Sequence, residues 1–324
     1  MLTLDEIQLP IQEHLKRFEK TFKASMQSSA PLLDRITGYL IKQKGKQMRP
    51  MFVFFSAGIS GGITESTYHG AALVELLHTA SLVHDDVVDN SNERRGFFSI
   101  NALWKNKVAV LVGDFLLSKG LLLSVKHKEF ELLRIVSEAV EHMSEGELLQ
   151  IEKARHLDIE ESIYYEIIRK KTASLIASCC ACGASSAGAD EETVEKLRLF
   201  GEKVGIAFQI KDDLFDFGLD DVGKPVGNDI KEKKMTLPLI HALNSVDKGQ
   251  RRKIINLVKN HNEDPAKVSE VIDFVKSNGG MEYATQRMLQ YQQEAFEILD
   301  SLPNGGEFKT GLEQLVKFTT ERKK

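Results

Sequence analysis

The residues Asp85-Asp86-Val87-Val88-Asp89 have the types and spacing to do chemistry. Asp85 and Asp89 are four apart and share one helical face, with Asp86 about a quarter turn round. Carboxylates held that close repel, and a buried pair needs a raised pKa or a cation. A hard divalent ion answers that need, and Mg²⁺ takes one or two carboxylates together with phosphate oxygens. Taken alone, such a motif also reads as a solvated acidic face. A second cluster, Asp212-Asp213-Leu214-Phe215-Asp216, repeats the spacing after an apolar run over 204–210. On helices packed antiparallel across a cavity, the clusters would face each other and share metal ions.

Cationic segments surround these clusters in the chain. In Gly45-Lys46-Gln47-Met48-Arg49-Pro50 the glycine ends one helix and the proline fits the first turn of the next. Lys46 and Arg49 then lie near a helix N-terminus, which favours an anion. Arg94 and Arg95 close a polar loop after Asp89, and guanidinium forks match diphosphate oxygens. Lys170-Lys171-Thr172-Ala173 would present a lysine and a hydroxyl to a cavity. Glu147 and Gln150 share a face and read as supporting polar groups or as an exposed stripe. His78 lies two turns before Asp85 on roughly the same face, and Glu75 precedes it with di-iron spacing. No other histidine has a glutamate three residues before it, so the second copy a di-iron site needs is absent. The clustered Cys179, Cys180 and Cys182 lack a second ligand pair at zinc spacing and read as small helix-contact residues.

Elements must position these groups. The chain has 324 residues and only seven prolines, and apolar residues recur at three- and four-residue spacing almost throughout. Phe52-Val53-Phe54-Phe55 is the best strand signal, and it lies inside a helical pattern. The spacing predicts an all-α fold, with helices over about 4–27, 30–43, 66–89, 99–125, 129–155, 160–187 and 192–217, then hairpins to 321. No composition break marks a linker, so residues 1–324 read as one domain. A net charge of −4 gives no support to nucleic-acid binding. No apolar run is read as reaching membrane-span length, and the first residues carry neither a basic region nor a signal-peptide core. The expected location is the cytoplasm.

Together the segments GKQMRP, LLHTASLVHDDVVD, NERRG, KKT, FQIKDDLFD, GKPVGNDI and KMTLP resemble the trans-isoprenyl diphosphate synthases, in order and over nearly the whole chain from about residue 25. The gap-free DDVVD and its flanks are most similar to long-chain, octaprenyl-type polyprenyl diphosphate synthases, which make quinone side chains. The resemblance implies a single large helical bundle of the isoprenoid synthase type with a central active-site cavity, and a homodimer. It implies Mg²⁺ bound by Asp85, Asp89 and Asp212, with Asp86 and Asp216, bridging an allylic diphosphate. Arg94, Lys171, Lys224 and Lys234 would contact that diphosphate. Lys46, Arg49, His78 and Arg95 would bind isopentenyl diphosphate, and Thr172 and Gln209 would face the allylic C1. Two positions depart from the pattern: Lys233 and Lys105 stand where glycine is common.

Chain length in such an enzyme depends on how deep an apolar tunnel runs below the first cluster. Ala80 and Ser81, one turn before Asp85, would form its upper wall, and their small size suggests a long product. A class I terpene cyclase shares the first motif but usually carries an Asn/Ser/Glu-type second motif, where this chain has Asp212, Asp213 and Asp216. A structural subunit of a two-component synthase typically loses the aspartates that this chain keeps. The catalytic half of a heteromer stays open. A long polyprenyl product must leave for a membrane, which allows loose membrane association without an anchor.

Overall fold

Proline, glycine and side-chain caps cut the chain into helices. The computed structural model describes residues 2–322 apart from 44, 95, 155, 156, 158, 159, 219–225, 303 and 304. In chain order the helices are α1 (Leu4–Ile7), α2 (Gln12–Ser25), α3 (Pro31–Lys42), α4 (Met48–Ile59), α5 (Glu65–Val88), α6 (Ile100–His127), α7 (Phe130–Ala154), α8 (Glu161–Ile168), α9 (Ser174–Ser186), α10 (Glu191–Asp216), α11 (Asn228–Lys231), α12 (Leu237–Asn244), α13 (Lys248–Asn260), α14 (Pro265–Ser277), α15 (Gly280–Asp300) and α16 (Gly306–Glu321). A π turn, Arg169–Ala173, joins α8 to α9. Among the described residues the only strands are β1 (Glu93–Arg94) and β2 (Phe97–Phe98), an antiparallel hairpin within the loop after α5. The fold is all-α.

Local chemistry explains the boundaries that matter for function. Thr64 and Thr67 exchange side-chain and backbone hydrogen bonds and start α5. Ser99 caps α6 and Asp190 caps α10 through their side-chain oxygens. Pro10 divides the first amphipathic stretch into α1, a short 3₁₀ turn and α2.

Helix α9 is the hub. It packs on α4, α5, α7 and α10. Its sequence, SLIASCCACGASS, is almost wholly buried, including the three cysteines as free thiols. Burial pushes those thiols up, to about 12 for Cys180, so they pack as small apolar groups. The aromatic run Phe52–Phe55 is fully buried on α4 against it.

Helix α6 corrects one expectation. By length and composition it is apolar enough to cross a membrane. One face packs on α5, where Ala80, Ala109 and Val112 are buried together. The opposite face leaves Val110, Leu111, Leu121, Leu122 and Val125 exposed. The helix also kinks at Lys105, whose backbone has φ 75° and ψ 160°.

Candidate active site

Asp85 and Asp89 lie at the C-terminal end of α5, and Asp212 lies in the last turns of α10. Antiparallel neighbours would hold these motifs about a helix length apart. Instead the C-terminal ends of the two helices meet at one cavity of about 430 Å³. Asp85, Asp89, Asp212, Asp213 and Asp229 line it together with Arg94, Lys171, Lys233 and Lys234. Helix C-termini carry partial negative charge, so these carboxylates add to a field that favours cations. Burial raises Asp85 to about 6, with Lys171 opposing and Glu147 and Asp89 assisting the rise. Asp213 and Asp229 are also raised, first by burial and then by neighbouring carboxylates.

The cationic wall is held in place by ion pairs. Lys171 sits on the π turn, paired with Glu147 and 3.5 Å from Gln150 Oε1. The supporting role offered for Glu147 and Gln150 thus has a geometric basis. Glycines let neighbouring helices press on this turn: a Cβ at Gly146 of α7 would lie 2.8 Å from Lys171 N, and one at Gly205 of α10 would lie 2.5 Å from Ala173 Cα. Lys234 pairs with Glu232 and lies 3.8 Å from Asp229, and its pKa is raised although burial works against its charge. Thr172 Oγ1 donates to Gln209 Oε1 at 2.8 Å, so both polar groups meet on the cavity wall.

Several expected residues lie elsewhere. Asp86 does not join the other aspartates: its carboxylate accepts from Arg94 Nε at 2.7 Å on the far side of α5. That placement follows from its quarter-turn offset. Arg94 thereby spans the diphosphate-sized cavity and a smaller apolar pocket of about 90 Å³ lined by Gln47, His78 and Asp86. Asp216 does not line the cavity either, and its two oxygens accept from the backbone N–H groups of Asn228 and Asp229. It fixes the start of α11 and so aims Asp229. Lys46 lies 5.3 Å over the Phe318 ring of α16, and neither Lys46 nor Arg49 lines the cavity.

Ala80 and Ser81 are not on the wall of either cavity. Ala80 is fully buried in the α5–α6 seam, and the Ser81 hydroxyl donates to His78 O at 2.9 Å. Arg95 and Lys224 lie outside the described residues. Sequence reasoning missed Asp213 and Asp229 as cavity groups and also Arg322, which reaches from the end of α16 to pair with Asp212. Asp229 stood inside the quoted GKPVGNDI segment. Arg322 left no signal beyond a basic chain end.

Among the described residues no three His, Cys, Asp or Glu side chains converge as a preformed metal cage. Carboxylates on facing walls still fit a Mg²⁺ ion whose remaining ligands are phosphate oxygens and water. The lysines and Arg94 fit the same diphosphate.

Residues 30–275 match the polyprenyl synthetase family. The chain is 34% identical over 281 residues to the octaprenyl diphosphate synthase of Escherichia coli strain K12, covering 86% of this chain and 87% of that one. Its fold superposes with a TM-score of 0.94 on a decaprenyl diphosphate synthase from Rhodobacter capsulatus, at 32% identity over 99% of this chain and 100% of that one. The TM-score is 0.91 against a Caulobacter crescentus polyprenyl synthase complexed with calcium and isoprenyl diphosphate, at 30% identity over 99% and 98% of the two chains.

Proposed function

The chain belongs to the polyprenyl synthetase family and is a prenyltransferase, and on that premise we propose how its residues perform the reaction. It condenses an allylic diphosphate with successive isopentenyl diphosphates, head to tail and in trans, to a long-chain polyprenyl diphosphate for a quinone side chain. The observation that carries the site assignment is the meeting of Asp85, Asp89 and Asp212 with Lys171, Arg94 and Lys234 around one cavity. Mg²⁺, when bound, supplies Lewis-acid stabilisation of the departing diphosphate.

Asp85, Asp89 and Asp212 would hold the metal, and Arg94, Lys171, Lys224 and Lys234 the diphosphate oxygens. A pair of unit charges at 4 Å is worth about 1 kcal/mol in water and about 4 kcal/mol at an effective dielectric of 20. Several such contacts in a closed site therefore lower a barrier by orders of magnitude. Thr172 and Gln209 turn oxygen atoms towards the allylic C1, where positive charge grows. Lys46, Arg49, His78 and Arg95 bind isopentenyl diphosphate; His78 lines the smaller pocket, and Arg94 lines both cavities and stands between the two subsites. The apolar Ile167 and Ile168 on the wall help exclude water that would capture the cation. The released diphosphate is the base for the final proton.

The growing chain runs along α5 past Thr79, Leu82 and Val83 of the smaller apolar pocket, and Ala80→Phe, forced out of the packed α5–α6 seam behind that wall, shortens the product. An unchanged product profile in that variant would place the tunnel elsewhere. The exposed apolar face of α6 suits a second copy of the chain, giving a homodimer. The whole of residues 1–324 acts as one domain in the cytoplasm, with loose membrane association as the product leaves.

The test is product analysis. The pure chain is incubated with Mg²⁺, labelled isopentenyl diphosphate and, in turn, geranyl, farnesyl and geranylgeranyl diphosphate. One long end-point, lost with EDTA, is expected. Cyclic hydrocarbon without isopentenyl incorporation would refute the reading, and no turnover by the pure dimer would show that a partner subunit is required.

A further inference from the structure

Along the cavity wall runs a hydrogen-bond chain whose outer members, Tyr164 and Asp213, the reaction scheme leaves without a purpose. Tyr164 of α8 is 4% exposed, and its hydroxyl donates to Asp213 Oδ2 at 2.6 Å. Asp213 is equally buried, and its other oxygen, Oδ1, accepts from Gln209 Nε2 at 2.9 Å. Gln209 then accepts from Thr172 Oγ1 through Oε1 at 2.8 Å. The chain thus runs across three elements: α8, α10 and the π turn.

The direction of each bond matters more than its length. A side-chain amide presents an oxygen on one side and an amino group on the other, and only its partners decide which way round it sits. Both Asp213 oxygens accept, one from the Tyr164 hydroxyl and the other from Gln209 Nε2, so Asp213 meets the amino side of Gln209. The carbonyl oxygen of Gln209 is then turned to Thr172 and the cavity. The reversed amide would set oxygen against carboxylate and bring N–H groups to the place where a carbocation forms. Dipoles preset towards developing charge stabilise a transition state without reorganising.

We propose that Tyr164 is a positioning residue: its hydroxyl anchors the outer oxygen of Asp213, so that Asp213 keeps the Gln209 carbonyl, and not its amino group, facing the reacting carbon. This rests on the assignment of Gln209 to the allylic C1. Tyr164 touches no substrate in this scheme. It acts through two intermediaries, and its ring also packs edge-on to Tyr165 with centroids 5.4 Å apart, which keeps the hydroxyl aimed.

The experiment is a double-mutant cycle on the full chain with Mg²⁺, measuring kcat and the KM for the allylic diphosphate. Gln209→Leu, Tyr164→Phe and the double variant are compared, together with 4-aminophenylalanine at position 164. Melting temperature checks that each variant is folded. Tyr164→Phe is expected to lower kcat about a hundredfold, the size of effect for a lost preorganised dipole, with KM little changed. The double variant should be no slower than Gln209→Leu alone, because both changes remove the same oriented carbonyl. The aminophenylalanine chain retains a donor of similar reach and should recover most of kcat; should Tyr164→Phe not fold, this variant still tests the donor, and a rate as low as that of Gln209→Leu overturns the role. Wild-type turnover in Gln209→Leu would remove the underlying assignment and the inference with it. A slow Gln209→Leu beside a fast Tyr164→Phe would overturn the role of Tyr164 alone. So would full additivity, or a change confined to KM.

Discussion

At the residue scale, the two departures from the family pattern fall where the backbone itself asks for glycine. Lys105 has φ 75° and ψ 160°, and Lys233 has φ 58°. The first conformation is essentially restricted to glycine, and a side chain there costs about 1–3 kcal/mol. Lys105→Gly is therefore expected to raise the melting temperature by a few degrees with kcat unchanged, and a lower melting temperature would show that the kink is not strained. The aspartates separate in the same way. Asp85→Asn should lower kcat about a thousandfold, as loss of a preorganised charge-stabilising group does. Asp86→Asn only loosens Arg94 and should cost far less. Equal losses in both variants would return Asp86 to the metal set.

At the element scale, the π turn is the piece that fixes Lys171 and Thr172. One extra residue in a helical turn is common at functional sites, and here α7 and α10 clamp it at Gly146 and Gly205. A methyl group at either position must push the turn or its own helix aside. Gly205→Ala is expected to lower kcat by about a hundredfold, the effect of a displacement of about 1 Å in a reacting geometry. Its secondary structure by circular dichroism should stay intact. A fully active Gly205→Ala would mean that the turn does not govern the site. The chain's own pattern located KKT on a helical run, but nothing in three- and four-residue spacing reveals a five-residue turn inside it. The hairpin of β1 and β2 was equally hidden, because two residues are too few to show alternation.

At the scale of the whole molecule, the acidic cavity links metal to proton. Asp85 titrates near 6 in the metal-free chain, above its ordinary value of 3.8. A raised folded pKa contributes stability that is complete below the unfolded value near 4 and is lost as pH climbs through about 6. Metal binding needs the ionised form, so it weakens below that point, approaching about tenfold per pH unit. The Mg²⁺ concentration at the midpoint of the melting-temperature shift should therefore rise about fivefold from pH 6 to pH 5 in the wild type. Asp85→Asn should show weak binding with little of this slope. An identical slope in the variant would assign the proton to another group.

The sequence by itself determined the all-α class, the two aspartate clusters and most of the cationic partners, because helical periodicity and four-residue carboxylate spacing are local properties written in adjacent residues. Tertiary structure alone decided which carboxylates share the cavity. Asp86 turns to Arg94 and Asp216 to a backbone, while Asp213 and Asp229 come in. It also decided that helix ends meet, that Arg322 reaches Asp212 across 110 residues of chain, and that Tyr164 reaches Asp213 across 49. A helix restricts a residue to a face, and only the packing of distant elements against that face decides what the face meets.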